Sequence, residues 1–390
     1  MDIAVAGAGI AGLSCAAFLA RDGHRVSIFD QFDEPAPIGS GVVIQSTGQA
    51  VLSRLALLEK LKEFGAPIER LYGVVAASGH TALDVRLNTG ADNKTGVGIH
   101  RASLFHILFG AARDAGVNFE TGKKIIGAGD KHLEFSGGSH SPAFDLLIDA
   151  MGVHSPLIER EKTTLGYGAL WVNVTTPRGD AFLPRSIEQR YYRSSKAVGL
   201  MPIGKPPGAA AELSALFWNL RGDHFDDWRA HGLACWKDEV LALWPALAPV
   251  LEEILDADQF VFARYAHDAI ASPVEGRLIH IGDAWHAASP QLGQGANMAL
   301  LDAFALARSL REHSDYNVAI KTFLKLRHRH VQLYQAMSAM FTPVYQSDSE
   351  VLPLVRDALA GPLSGVWFVS KLLAAMVSGT LGAPSLENLK

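Results

Sequence analysis

The run Ile3-Ala4-Val5-Ala6-Gly7-Ala8-Gly9-Ile10-Ala11-Gly12 carries the strongest architectural signal in the chain. Its first four residues are short, apolar and β-favouring, and they read as a buried strand. A complete G-x-G-x-x-G follows, and Leu13 to Arg21 then reads as a helix. Asp22-Gly23 ends that helix, and Arg25 to Asp30 forms a second strand carrying Val26, Ile28 and Phe29. Strand, glycine turn, helix and strand make a βαβ unit of about 30 residues, which implies a parallel sheet. Gly7 permits a tight turn, Gly9 lets a pyrophosphate approach the backbone, and Gly12 lets helix and strand pack closely. Ile10 and Ala11 begin the helix, whose free N–H groups and positive dipole end suit phosphate. Asp30 closes the second strand, followed by Gln31. A carboxylate there accepts hydrogen bonds from ribose hydroxyls and repels a 2′-phosphate, which disfavours NADP at this position. The fingerprint alone does not separate FAD from NAD.

A second unit far along the chain makes that distinction. Arg277 to Ile281 reads as a strand and ends in Gly282-Asp283. Pro290-Gln291-Leu292-Gly293-Gln294-Gly295-Ala296-Asn297 then opens a helix reaching Arg311. Asp283 suits a polyol chain. Gly293, Gly295, Ala296 and Asn297 would bring backbone N–H groups against a flat, carbonyl-bearing ring. The helix dipole would favour negative charge developing there.

Between these units the pattern predicts a loop from Gly39 to Ile44, a helix from Thr47 to Phe64 and hairpin-like strands from Leu71 to Thr89. It then predicts a helix over Arg101 to Ala115 and strands over Val117 to Gly127 and Phe144 to Ala150. From about Gly166 to Arg264 the texture changes to alternating strands, with a helical stretch from Trp228 to Leu255 broken at Pro245 and Pro249. From Tyr316 onward the chain reads as helical, with breaks at Pro343, Pro353 and Pro362. The expected fold is α/β: a Rossmann-like FAD-binding domain of residues 1–75, 97–165 and 265–340. Residues 76–96 and 166–264 form an inserted, mostly antiparallel substrate domain, and 341–390 a helical C-terminus.

Length and composition agree. A chain of 390 residues with 48% hydrophobic and 19% charged residues has material for a large core. Its formal charge of -5 provides no basic field, which argues against nucleic acid. Two cysteines, Cys15 and Cys235, are no disulfide scaffold and fit a reducing cytosol. No Cys/His cluster has zinc spacing, so no metal is expected. No segment reads as membrane-spanning; Val366 to Val377 is too short and carries Lys371.

Taken together, Gly7 to Gly12, Asp145 to Ser155 and Gly282-Asp283 through Asn297 resemble the class A flavoprotein monooxygenases of para-hydroxybenzoate hydroxylase type. The resemblance runs from about Met1 to Tyr345. It implies extended FAD, with its ADP half at Gly7 to Gly12 and Asp30 and its flavin beside Pro290 to Asn297. Asp283 matches the family's acid on the ribityl chain, and Arg101 its FAD-contacting arginine. It further implies reduction by NAD(P)H, reaction with O₂ through a flavin C4a-hydroperoxide, and hydroxylation of a small, aromatic substrate by a monomer or homodimer. No acid–base side chain is obligatory in such chemistry.

One departure stands out. In Asp149-Ala150-Met151-Gly152, Met151 occupies the place of the family's aspartate. Asp149, two positions earlier, would share a strand face with it and is a conceivable substitute. The departure bears on NAD(P)H use and leaves room for two other readings: a flavin dehydrogenase or reductase without oxygen insertion, or a non-catalytic flavin-binding subunit. Trp285 reads as a packing residue, with narrowed access near the flavin as the alternative. His286 and His154 read as structural or solvated, and His328-Arg329-His330 beside Arg327 and Lys325 as a solvated basic face. Tyr191, Tyr192, Trp218 and Tyr265 read as sheet core with a possible pocket role. The apolar stretch Leu352 to Val377 reads chiefly as packing.

Overall fold

The computed structural model describes residues 1–33, 40–87, 95–159 and 164–383. The ends of the expected loop at Gly39 and of the expected hairpin at Asn88 and Thr89 lie outside these residues, as does the C-terminal stretch 384–390.

The quoted run builds the centre of a six-stranded sheet. Its strand Asp2–Ala6 lies between Arg25–Phe29 and Leu146–Asp149, both parallel to it. Leu278–His280 adds beyond Leu146–Asp149, and Asn118–Glu120 beyond Arg25–Phe29, again in parallel register. Val274–Glu275 closes one edge antiparallel. The fingerprint helix Ile10–Arg21 packs on the helix Gly295–Glu312, with Phe18 and Phe304 edge to face at 5.5 Å. Both helices contribute almost wholly buried faces to one core. The two sequence motifs are therefore neighbours, because each follows a strand of the same sheet.

The inserted region forms a seven-stranded sheet in the order Val261–Ala266, Thr164–Thr175, Leu213–Arg221, Lys196–Gly204, Ser186–Tyr192, Arg70–Val75, Thr81–Arg86. Every pairing is antiparallel except that of Ser186–Tyr192 with Arg70–Val75. A three-stranded sheet of Gly41–Ile44, Gly96–His100 and Ala66–Ile68 packs against Lys196–Gly204 of the seven-stranded sheet and touches the helix Gly295–Glu312. The expected boundary at residue 75 falls inside the hairpin Arg70–Arg86, both of whose strands belong to the seven-stranded sheet.

Several local expectations change. The helix expected over Thr47 to Phe64 is two, Ser46–Arg54 and Leu58–Phe64. Ala56 adopts φ 58°, and Leu57 and Ala56 donate back to Leu52 and Ser53, a Schellman ending without glycine. The stretch Val117 to Gly127 is two strands separated by a turn at Gly122, φ 66°. Pro343 and Pro362 do not break helices; they sit in the last turns of Tyr316–Tyr345 and Val351–Ser364, just before each ends. The break near Pro245 does occur, where the helix Phe225–Leu243 gives way to a single turn. Among the described residues no single helix is long and apolar enough to cross a membrane; Val351–Ser364 and Trp367–Val377 meet at a bend of 109°.

Candidate functional site

The fingerprint turn is built as its glycines require. Gly7 has φ 98°, and a Cβ there would lie 2.9 Å from the Ala150 carbonyl oxygen. A Cβ at Gly12 would lie 1.9 Å from the Gly7 carbonyl oxygen, so this helix sits directly on its strand. Gly9 is the opposite case: it is exposed, and a Cβ there would meet nothing within 4 Å. The helix N-terminus behind it has no side-chain cap and no acidic residue in its first turn. The N–H groups of Ile10, Ala11 and Gly12 thus face an open approach, the arrangement that receives a phosphate. Asp30 is half-buried; it accepts from the Ala8 N–H at 2.8 Å and the Phe32 N–H at 3.0 Å. It holds the turn in shape while remaining partly accessible at its rim. Gln31 is exposed beside it.

The second motif lies against the first. Gly282 has φ 61°, and its missing side chain admits Ala11 on one side and Ala299 on the other, 3.1 and 3.3 Å from an added Cβ. Asp283, Pro290, Gly293 and Gly295 form an exposed rim, with Ala296 half-buried. Gly293 is left-handed, φ 62°, with open space where a Cβ would stand. Asp283 Oδ1 lies 3.8 Å from where a Cβ of Gly295 would be. The helix begins at Gly295 without a side-chain cap. Asn297 plays a different part from the one its motif suggests. Its side chain is fully buried, accepting from the Gln45 N–H and donating to the Val43 and Gly293 carbonyls at 2.8, 3.0 and 3.1 Å. Only its backbone N–H is left for a ligand, and its amide clamps the loop to the strand Gly41–Ile44.

Arg101 opens the helix Arg101–Asp114, and its N–H donates to the Ser40 carbonyl at 2.9 Å. Solvent reaches its side chain, yet protein surrounds it closely. Burial lowers the guanidinium from its ordinary value, and Asp283 foremost, with Tyr265, opposes that shift. Burial likewise pushes the Tyr265 phenol up to about 12, against the pull of Trp171 and Arg101. The Trp171 indole N–H donates to the Tyr265 hydroxyl at 3.3 Å. Arg101 and Asp283 of the α/β frame thus lie within electrostatic reach of Tyr265, which Trp171 bonds on the seven-stranded sheet. Of the four aromatics considered from sequence, Tyr265 is the one found beside these groups. Tyr191 and Trp218 are buried in core clusters, and Tyr192 is 46% exposed.

His100 caps the Arg101 helix. Its Nδ1 accepts from the Ala102 N–H at 3.0 Å, so the proton of the neutral ring sits on Nε2. Asn173 Nδ2 stands 2.9 Å from that nitrogen with its Oδ1 on the Ser40 hydroxyl; a protonated Nε2 requires the amide turned over, its oxygen on the ring and its NH2 donating to Ser40. Burial lowers the His100 pKa and keeps the ring neutral.

Two buried networks hold the motifs in place. Asp149 is not a substitute for the acid absent at Met151. Its carboxylate is fully buried, taking the Met151 N–H at 3.0 Å, the Ser155 hydroxyl at 2.6 Å and His280 Nδ1 at 2.8 Å. The strand ends at Asp149, so Met151 lies in the following turn and the period-two relation does not apply. The second network centres on Asp302, also fully buried. It accepts from the Gly282 N–H at 2.9 Å, His286 Nε2 at 2.6 Å and Arg327 Nε at 2.7 Å. Arg327 continues to His330 at 2.7 Å, and His330 to the Gly379 carbonyl at 3.2 Å. The expected solvated basic face is thus only partly so: Arg329 is exposed and His328 half-buried, whereas Arg327 and His330 are each 1% exposed. A charge pattern does not reveal which side of a helix meets a buried carboxylate. Trp285 and His286 are structural as expected; Trp285 packs against Phe323 at 5.8 Å. His154 is exposed.

The residues present fit FAD. An uncapped helix start with open space at Gly9, a ribose-ready acid at its side, and a left-handed glycine rim facing Arg101 and Asp283 form one continuous track. Comparison with known proteins agrees. Residues 2–49 match the family model of an FAD dependent oxidoreductase, and residues 246–332 that of an FAD binding domain. The chain is 29% identical over 395 residues, 97% of each sequence, to "Probable 2-heptyl-3-hydroxy-4(1H)-quinolone synthase AqdB2" of Rhodococcus erythropolis. It is 25% identical over 332 residues, 81% of this chain and 84% of the other, to 6-hydroxynicotinate 3-monooxygenase of Pseudomonas fluorescens. Its fold superposes on the crystal structure of Klebsiella pneumoniae HpxO complexed with FAD and uric acid, with TM-score 0.80 at 21% identity over 98% of each chain.

Proposed function

We propose that the chain is a class A FAD-dependent monooxygenase that hydroxylates a small nitrogen heteroaromatic substrate with NAD(P)H as electron donor and O₂ as oxidant. The relatives' names point to that substrate class: a quinolone and a hydroxynicotinate. Bound FAD supplies the redox chemistry and the oxygen activation. The chain's own residues supply binding, orientation and exclusion of water.

Their assignment follows the track. Gly7, Gly9, Ile10, Ala11 and Gly12 receive the ADP pyrophosphate, and Asp30 with Gln31 the adenosine ribose. Arg101 offers a charged fork to phosphate or ring oxygens, and Asp283 accepts from ribityl hydroxyls. Pro290, Gly293, Gly295, Ala296 and the Asn297 N–H edge the flavin ring. The substrate would lie on the side of Tyr265 and Trp171, toward the seven-stranded sheet.

The uncapped helix start with open space at Gly9, together with the bare glycine rim at Gly293 and Gly295 beside Asp283, carries this reading. Its test begins with the visible spectrum of the purified protein, followed anaerobically as NADH or NADPH is added. A flavin spectrum that bleaches faster with a hydroxylated pyridine or quinolone, followed by product one oxygen atom heavier in air, supports it. A protein that FAD does not reconstitute refutes it. Met151 favours a second reading, oxidoreduction without oxygen insertion. Under that reading, oxygen uptake ends wholly as hydrogen peroxide and no substrate gains oxygen.

A further inference from the structure

On the far side of the α/β frame, three side chains with metal-binding chemistry meet outside the cofactor track. His132, Glu134 and His140 each present one ligand atom, and these atoms lie within 4.8 Å of one another. The short strand Leu133–Phe135 explains the meeting. Leu133 and Phe135 turn inward into a core cluster with Phe29, so the alternate positions His132 and Glu134 share the outer face. A turn through Gly137 and Gly138, φ 101° and 81°, folds the chain back and pairs Glu134 with His140. The Phe135 N–H to the Ser139 carbonyl and the Leu133 N–H to the Ser141 hydroxyl, both 2.9 Å, fix this return. The neighbouring strand leaves room for the group: a Cβ at Gly127 would stand 2.5 Å from Glu134, and one at Gly129 2.6 Å from His132.

We propose that His132, Glu134 and His140 form a binding site for a divalent transition-metal ion, Zn²⁺ by donor preference. Two imidazoles and one carboxylate are a borderline donor set that suits zinc better than calcium or magnesium. Zinc takes such ligands at about 2.0–2.2 Å, so tetrahedral ligand atoms stand roughly 3.4 Å apart. His132 Nε2 and Glu134 Oε1 are 4.0 Å apart, and both side chains are about two-fifths exposed, 40% and 41%. A small rotation of free-ended side chains on a pinned hairpin closes the shell, with water in the fourth position. The sequence showed no zinc spacing because one ligand pair is i, i+2 on a strand and the third is brought by a glycine turn.

The experiment uses the full FAD-loaded chain, stripped of metal, titrated with ZnCl₂ against a chromophoric chelator. One equivalent bound is expected. His132→Gln, Glu134→Gln and His140→Gln each weaken binding by about tenfold or more while flavin content and melting temperature in chelator stay unchanged. The wild-type chain supplies a test free of mutation: Zn²⁺ protects His132 and His140, and not the exposed His154, from diethylpyrocarbonate. No stoichiometric binding, or binding undiminished by the substitutions, overturns the site. So does equal modification of His132 and His140 with and without the ion.

Discussion

Removing the Asp302 carboxylate tests how the cofactor motif is held. The group is completely buried between His286, Arg327 and the Gly282 N–H. Burial pushes its carboxyl up, but His286 and Arg327 together pull it down to about 2 from an ordinary 3.8. That difference corresponds to about 2 kcal/mol favouring the folded state. Because folding lowers this pKa, the contribution is complete above about pH 4 and fades as pH falls through about 2. Asp302→Asn keeps the volume and one acceptor, and is expected to lose about 2 kcal/mol at neutral pH. Asp302→Ala leaves the Arg327 guanidinium, 1% exposed, with neither counter-charge nor hydrogen-bond acceptor from that position, and should lose about 3–5 kcal/mol. The double variant Asp302→Ala/Arg327→Met should recover a large part of that loss, because an apolar pair replaces an uncompensated charge. Urea midpoints of the FAD-loaded proteins at pH 7 measure all three. FAD dissociation constants should rise in parallel, since the Gly282 N–H loses its acceptor beside Asp283. A loss below about 1 kcal/mol in Asp302→Ala, or a double variant no better than the single, would refute the account.

Four further outcomes follow from the site. Gly9→Val should fold normally, because its Cβ meets nothing within 4 Å, yet lose FAD; undiminished flavin content would sink the phosphate assignment. Gly12→Ala should instead lower stability by about 1–3 kcal/mol, because its Cβ would stand 1.9 Å from the Gly7 oxygen; an unchanged melting temperature would contradict that packing. Met151→Asp should accelerate flavin reduction by NAD(P)H, and stopped-flow bleaching at the wild-type rate would mean Met151 is no defect. Tyr265→Phe should retain FAD but raise substrate KM about fivefold through one lost hydrogen-bonding group, and unchanged steady-state kinetics would remove Tyr265 from the substrate side.

The Rossmann-like half was legible because its signals are local. Strand, glycine turn and helix from Ile3 to Arg21 need no distant partner to be recognised, and the observed strand and helix end within a few residues of the expected bounds. Glycine spacing likewise marked the rim at Gly293 and Gly295, since a left-handed or sterically bare backbone restricts the residue type that tolerates it. The family resemblance rested on the same local marks.

What the chain order could not decide was direction and company. Asn297 lies in the flavin motif but turns its amide inward, because the strand Gly41–Ile44, some 250 positions away in sequence, presents its backbone there. Arg327 and His330 read as surface charges and are buried, because the Gly295–Glu312 helix carries Asp302 against them. Asp149 faced a turn instead of a ligand, since the strand ends two residues before Met151 and period-two alternation does not reach it. His132, Glu134 and His140 met through a glycine turn that has no metal signature. By itself the sequence determined the parallel α/β frame, the two glycine motifs and the cofactor class, all set by backbone sterics within a few residues. Which polar side chains became buried partners and which stayed accessible followed from packing, because that choice depends on charges and backbone groups supplied by distant segments.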